Sequence, residues 1–229
     1  MAANSSSSSD PSRRQYDVFL SFRGEDTRHS FTCYLHDFLR RKGIDAFIDE
    51  KLRRGNDLSG LLDRIEQSKI SIVVFSENYA NSAWCLEELA KIMDCKKTFH
   101  QVVLPVFYKV PTSDVRYQTG KFGAPFERSE EIFQGFEHRV PAWKEALRAA
   151  TEIAGYVLPD RSPECEFVDK IAKETFKLLN KLSPSEIRGL PGIESRMMEL
   201  QKLMRFEETS CVRIVGVLGM AGIGKTTVA

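Results

Sequence analysis

The sequence contains no CxxC pair, no HExxH and no apolar stretch longer than a strand. Without metal-ligand spacings, zinc hydrolases and zinc-ribbon folds are excluded, and no metal site is expected. The five cysteines, Cys33, Cys85, Cys95, Cys165 and Cys211, are scattered and odd in number, the usage of a reducing compartment rather than a disulfide framework. The longest apolar runs, 70–75 and 102–108, fall far short of the ~20 residues that span a bilayer, so no membrane partner is expected. Neither sign of charge dominates: 33 Lys and Arg stand against 32 Asp and Glu, a net charge of +1. Nothing in that balance makes nucleic acid an obligatory partner, whereas a small anionic ligand needs only local charge. Residues 1–12 are polar and serine-rich with no apolar core, which excludes a secretory signal. The expected location is cytoplasmic; no basic cluster argues for the nucleus, although a small protein can enter it.

What is present is globular: 42% hydrophobic and 28% charged residues, long enough for one ordinary domain and a remainder. The composition divides the chain into a disordered leader over 1–14, a folded domain with a C-terminal helix over 15–182, a linker and short helical segment over 183–210, and the start of another domain over 211–229. "YDVFLSF" reads as a buried strand, followed by a Gly-containing turn in which Asp26 and Thr27 are candidate helix caps. Phe31, Leu35, Phe38 and Leu39 mark one face of a helix that Gly43 should end. "IDAFID", "ISIVVF" and "VVLPVFY" are further strands, with Pro105 suggesting a bulge or an edge-facing position, and "GYVL" a short fifth. Helices are expected around Leu61–Ile65, Ser82–Cys95, Trp143–Ala154 and Phe167–Leu182, while 109–139 shows little regularity. Alternating strands and helices predict an α/β fold: a parallel sheet covered on both faces, in the flavodoxin-like order 2-1-3-4-5.

In that order ligands bind beyond the carboxyl ends of the first and third strands. Phe22-Arg23-Gly24-Glu25-Asp26 follows the first, and Ser76 to Tyr79 and then Trp84-Cys85-Leu86-Glu87-Glu88 follow the third. At 100° per residue, Cys85, Leu86, Leu89, Ile92 and Met93 form one apolar arc. Glu87 points away from it, toward solvent; Glu88 lies at its edge, on the same flank as Trp84, as a carboxylate beside an indole at the rim of a crevice. The structural alternatives are a surface pair between Glu88 and Lys91, simple packing for Trp84, a surface salt bridge for Arg23 and a positive φ at Gly24.

"YDVFLSFRGEDTR", "SENYANSAWCLEEL", "LPVFYKV…SDVR" and "QTGKFGAPF" together resemble a plant TIR domain, in family order from Tyr16 to Leu158. The tail "VRIVGVLGMAGIGKTT" resembles the start of the nucleotide-binding domain that follows TIR in plant disease-resistance proteins. The resemblance implies a five-stranded flavodoxin-like core and NAD glycohydrolase activity in self-associated assemblies, with NAD as substrate rather than cofactor. It maps the catalytic glutamate to Glu88, places Arg23 and Gly24 along the dinucleotide, stacks Trp84 near its rim, and makes Arg53, Arg54 and Gly55 a mobile gate and assembly surface. Three departures from the family stand out: Cys33 and Tyr34 replace a Ser-His self-association pair, the proline of Val110-Pro111-Thr112-Ser113 is displaced by one place, and Asn56 stands where an acid is common.

Gly219 to Thr226 fits GxxxxGK[ST] after a strand, so Lys225 and Thr226 would serve phosphate and magnesium. Only Thr227, Val228 and Ala229 follow, and without the helix that completes such a site it reads as the incomplete start of a P-loop NTPase domain, a vestige of truncation. Two functions are carried forward. One is an NAD hydrolase whose nicotinamide and ADP-ribose-type products signal to lipase-like immune adaptors. The other is a non-catalytic module that pairs with other TIR-containing receptors.

Overall fold

In the computed structural model, which describes residues 15–48, 58–159 and 162–182, the run Tyr16–Phe22 is strand β1. The leader, the Arg53–Gly55 loop with Asn56, the linker, Cys211 and the phosphate loop lie outside the described residues. The other strands are β2 (Ala46–Ile48), β3 (Ser68–Phe75), β4 (Val102–Tyr108) and β5 (Tyr156–Leu158). All four pairings are parallel and the order is β2-β1-β3-β4-β5, as the alternating pattern predicts.

The helices are α1 (Gly24–Thr27), α2 (Phe31–Arg41), α3 (Leu58–Glu66), α4 (Ala83–Phe99), α5 (Thr112–Tyr117), α6 (Gly120–Glu127), α7 (Ser129–Ile132), α8 (Val140–Thr151) and α9 (Glu164–Leu182). Strand side chains sort by parity, because successive residues point to opposite faces. Val18, Leu20, Phe22, Ile70, Ile72 and Val74 pack with apolar residues of α2 and α9. Phe19, Val73 and Phe75 pack with α3, α4 and α8 on the other face. Ser21, two residues after Phe19, therefore points to the α4 face from inside an apolar strand, and it is fully buried there.

The second strand is shorter than "IDAFID". Gly43, at φ 72°, ends α2, with its N–H donating to the Arg40 carbonyl and the Ile44 N–H to the Leu39 carbonyl. That Schellman closure engages the Ile44 N–H in the helix end, so pairing begins at Ala46. At Pro105 the register with β3 is continuous, without a bulge. β5 begins opposite Val106, so the missing proline N–H leaves no gap in that ladder.

The irregular segment after β4 resolves into three short α-helices and a 3-10 turn, Glu137–Arg139, which its glycines and proline hid from periodicity. Gly123 is a packing requirement: a Cβ there would lie 1.9 Å from the Gln118 carbonyl oxygen, a backbone atom that a side-chain rotation cannot clear. Gly123→Ala is expected to destabilise the domain by about 1–3 kcal/mol, read as a lower midpoint in urea denaturation.

Candidate active site

The carboxyl ends of β1 and β3 are bridged by one side chain. Asp26 accepts hydrogen bonds from Ser76 Oγ at 2.6 Å and the Asn78 backbone N–H at 3.0 Å on Oδ2, and from Asn78 Nδ2 at 3.1 Å on Oδ1. Neither Asp26 nor Thr27 caps a helix, although the sequence offers both as candidate caps. Both lie inside α1, and Ser30 precedes α2 without a side-chain cap. Thr27 is buried, and Thr32 Oγ1 donates to its hydroxyl at 2.8 Å.

Behind this lip lies α4. Ser82 caps it, its Oγ accepting from the Cys85 N–H at 3.2 Å, which fixes the helical phase of the residues that follow. Glu88 does not sit at a rim: it is 4% exposed, on the buried face with Cys85, Leu86 and Leu89. Ser21 Oγ donates to Glu88 Oε2 at 2.7 Å. Ser21 Oγ also lies 2.9 Å from the Tyr79 hydroxyl, which donates to the Cys85 carbonyl at 2.9 Å. Ser21 escaped the sequence reading, and Tyr79 was placed after the third strand without a role. A lone serine within "FLSF" is the signal that would have found the first, since a buried hydroxyl needs a partner. Lys91, the alternative partner considered for Glu88, pairs instead with Glu66.

Glu87 is the clearest correction. It does not face solvent: Arg139 Nε and Nη2 donate to its two oxygens at 2.6 and 2.8 Å, and the indole N–H of Trp143 donates at 3.0 Å. α8 crosses α4 on the side that the phase of one helix assigns to water. Glu87 thus anchors α8 while Glu88 faces the sheet.

Arg23 stands at the end of β1, immediately before α1, and Nη2 donates to Glu25 at 2.6 Å. Gly24 is the first residue of α1 and is not among the glycines with positive φ, so that reading of it fails. A Cβ there would instead approach the Arg28 guanidinium at 3.0 Å. Trp84 lies in the first turn of α4, half-buried against the core on that face. Two buried N–H groups, Arg23 Nε and Trp84 Nε1, have no acceptor among the described residues. Donors without partners are costly, and here they belong to two residues that the resemblance assigns to a ligand rich in oxygens.

Cys85 lies amid these groups, its Sγ 3.6 Å from the Phe22 carbonyl oxygen. Burial and then the Glu88 charge push its thiol up from 9.0 to about 12, against a smaller lowering by Arg23. The folded thiol therefore keeps a proton that an unfolded one gives up. This contribution is complete below about 9 and is lost as pH rises toward about 12. Melting temperature is expected to fall over that window, less steeply in Cys85→Ala. Near pH ~8, iodoacetamide should label the exposed Cys33 and Cys165 and spare the buried Cys85 and Cys95 until the protein unfolds, read by peptide mass spectrometry.

A parallel sheet in this order, with a buried carboxylate on the helix that follows its third strand, defines a flavodoxin-like α/β domain whose switch point is the candidate site. The TIR domain family model matches residues 15–193, and the chain belongs to that family. It is 58% identical to Disease resistance protein RPP2B of Arabidopsis thaliana, over 99% of this chain and 19% of that protein. With TMV resistance protein N of Nicotiana glutinosa it shares 42% identity, over 97% of this chain and 20% of that protein. The chain spans about a fifth of the length of these curated relatives. Among solved structures it is similar to the TIR domains of the activated Roq1 resistosome directly recognising the pathogen effector XopQ. That match has a TM-score of 0.63 and 43% identity, over 70% of this chain and 99% of that one. No helix among the described residues is long and apolar enough to cross a membrane.

Proposed function

We propose that this chain acts in plant immune signalling by cleaving NAD at the nicotinamide–ribose bond, with Glu88 as its catalytic carboxylate. The observation that carries the reading is a glutamate held inside the protein at the switch point by the Ser21 hydroxyl at 2.7 Å. Cleavage expels neutral nicotinamide and leaves an oxocarbenium-like ribose; an adjacent carboxylate stabilises that charge and engages the ribose hydroxyls, as in glycosidases. Arg23 and Trp84 would offer their partnerless N–H groups to the dinucleotide, and Gly24 would let its backbone approach closely. The products, nicotinamide and ADP-ribose-type signals, would act on lipase-like immune adaptors in the cytoplasm.

At 4% exposure, Glu88 reaches a ribose only after its surroundings shift, which fits activity that depends on self-association or on pairing with other TIR-containing receptors. Cys33 and Tyr34 are both exposed on α2, available for such contacts. The same two observations favour the alternative, a module that modulates receptors without turnover. NAD loss at high protein concentration with a crowding agent separates them: turnover by the folded chain is expected, and none under clustering would leave the modulator.

A further inference from the structure

Resting on that reading, we infer that Ser21 is a positioning residue for Glu88, and that Tyr79 backs it. Ser21 occupies a strand position whose neighbours are apolar, and it is completely buried, where a hydroxyl without a partner destabilises the fold. Its partner is the carboxylate itself: one Ser21 proton, donated to Oε2 at 2.7 Å. Tyr79, also fully buried, lies behind it with its hydroxyl 2.9 Å from Ser21 Oγ and 2.9 Å from the Cys85 carbonyl oxygen.

The three groups come from β1, from the turn Tyr79–Asn81 after β3, and from α4. The chain of hydroxyls therefore ties the carboxylate to both strands of the switch point. It also tolerates a proton on Glu88. With the carboxylate ionised, Ser21 donates to it and Tyr79 donates to the Cys85 carbonyl. With it protonated, Glu88 donates to Ser21 and Ser21 donates in turn to Tyr79, while the Tyr79 donation to Cys85 stays. A glutamate has three rotatable bonds, and pinning one oxygen to a rigid strand removes the freedom that would let it swing from the reacting carbon.

Ser21 touches Glu88 and not the dinucleotide, so its loss should lower kcat rather than weaken substrate binding. NAD turnover is measured under clustering conditions for wild type, Glu88→Gln, Ser21→Ala, Ser21→Thr, Ser21→Cys and Tyr79→Phe, each corrected for folded fraction by its melting curve. Expected for Ser21→Ala is a fall in kcat of about 10- to 100-fold with KM within about twofold of wild type, from the loss of one hydrogen bond to a charged group. Ser21→Thr, which keeps the hydroxyl, should restore most of it; if its methyl prevents folding, the weaker S–H donor of Ser21→Cys should restore part. Tyr79→Phe should show a smaller fall of the same kind.

Wild-type kcat in folded Ser21→Ala, or a loss shared equally by Ala, Thr and Cys, overturns the positioning role while leaving Glu88 intact if Glu88→Gln is inactive. Full activity in Glu88→Gln, or no turnover by folded wild type, overturns the parent reading and this inference together.

Discussion

Glu88→Gln is expected to lower NAD consumption by about 10²–10³-fold or more while leaving the melting temperature near that of wild type. The isosteric amide keeps an oxygen to accept from Ser21 at the place where Oε2 now accepts at 2.7 Å, so that hydrogen bond survives. What disappears is the negative charge that, on the proposed reading, faces the developing oxocarbenium ion. A site only 4% exposed screens that charge poorly, so its removal weighs more than it would at the surface. Alanine is the poorer choice, since it strips Ser21 of its acceptor and opens a gap in the α4 face at once. Quantifying nicotinamide release from matched folded concentrations checks the outcome. Equal release by wild type and the Gln variant would end the assignment of Glu88.

The neighbouring carboxylate cannot serve as the inert control. Glu87→Ala is expected to destabilise the domain by about 2–4 kcal/mol, because it removes two charge-assisted hydrogen bonds and strands the indole N–H of Trp143, whose side chain is fully buried. The Arg139 side chain is 38% exposed and can rehydrate, which keeps the cost below that of severing a fully buried pair. Urea denaturation should give a lower midpoint, and the variant's turnover per folded molecule should stay near wild type at low temperature. A midpoint equal to wild type would mean that the contact between α4 and α8 does not depend on this clasp. Comparing the two variants by raw activity alone would mistake unfolding for chemistry.

The sheet order, the two-sided burial of β3 and the long helices were legible in the sequence because each rests on a period of two or 3.6 over many residues. The apolar arc of α4 also separated Glu88 from Glu87, and the two side chains do part, Glu88 to the buried face and Glu87 to Arg139 and Trp143. The surroundings were not legible from one helix. Phase locates a residue relative to its own helix and does not know that α8 arrives on the other side, so Glu87 was sent to solvent and Glu88 stopped at the rim. Gly24 and Asp26 were misjudged for a related reason: turn chemistry describes the local backbone, whereas Asp26 is bonded to residues fifty positions away. Ser21 was present as an anomaly of composition, but nothing in "FLSF" says which acceptor waits above it.

Asp26 leaves the crevice with a particular mechanics. By joining the loop after β1 to the loop after β3 through three hydrogen bonds, it makes them one lip rather than two. The carboxylate couples its two halves: a change at Ser76 or Asn78 reaches the segment of Arg23 and Gly24 through Asp26. On the proposed reading, in which Glu88 meets a ribose, this staple shifts the burden of making room to the other walls around Glu88.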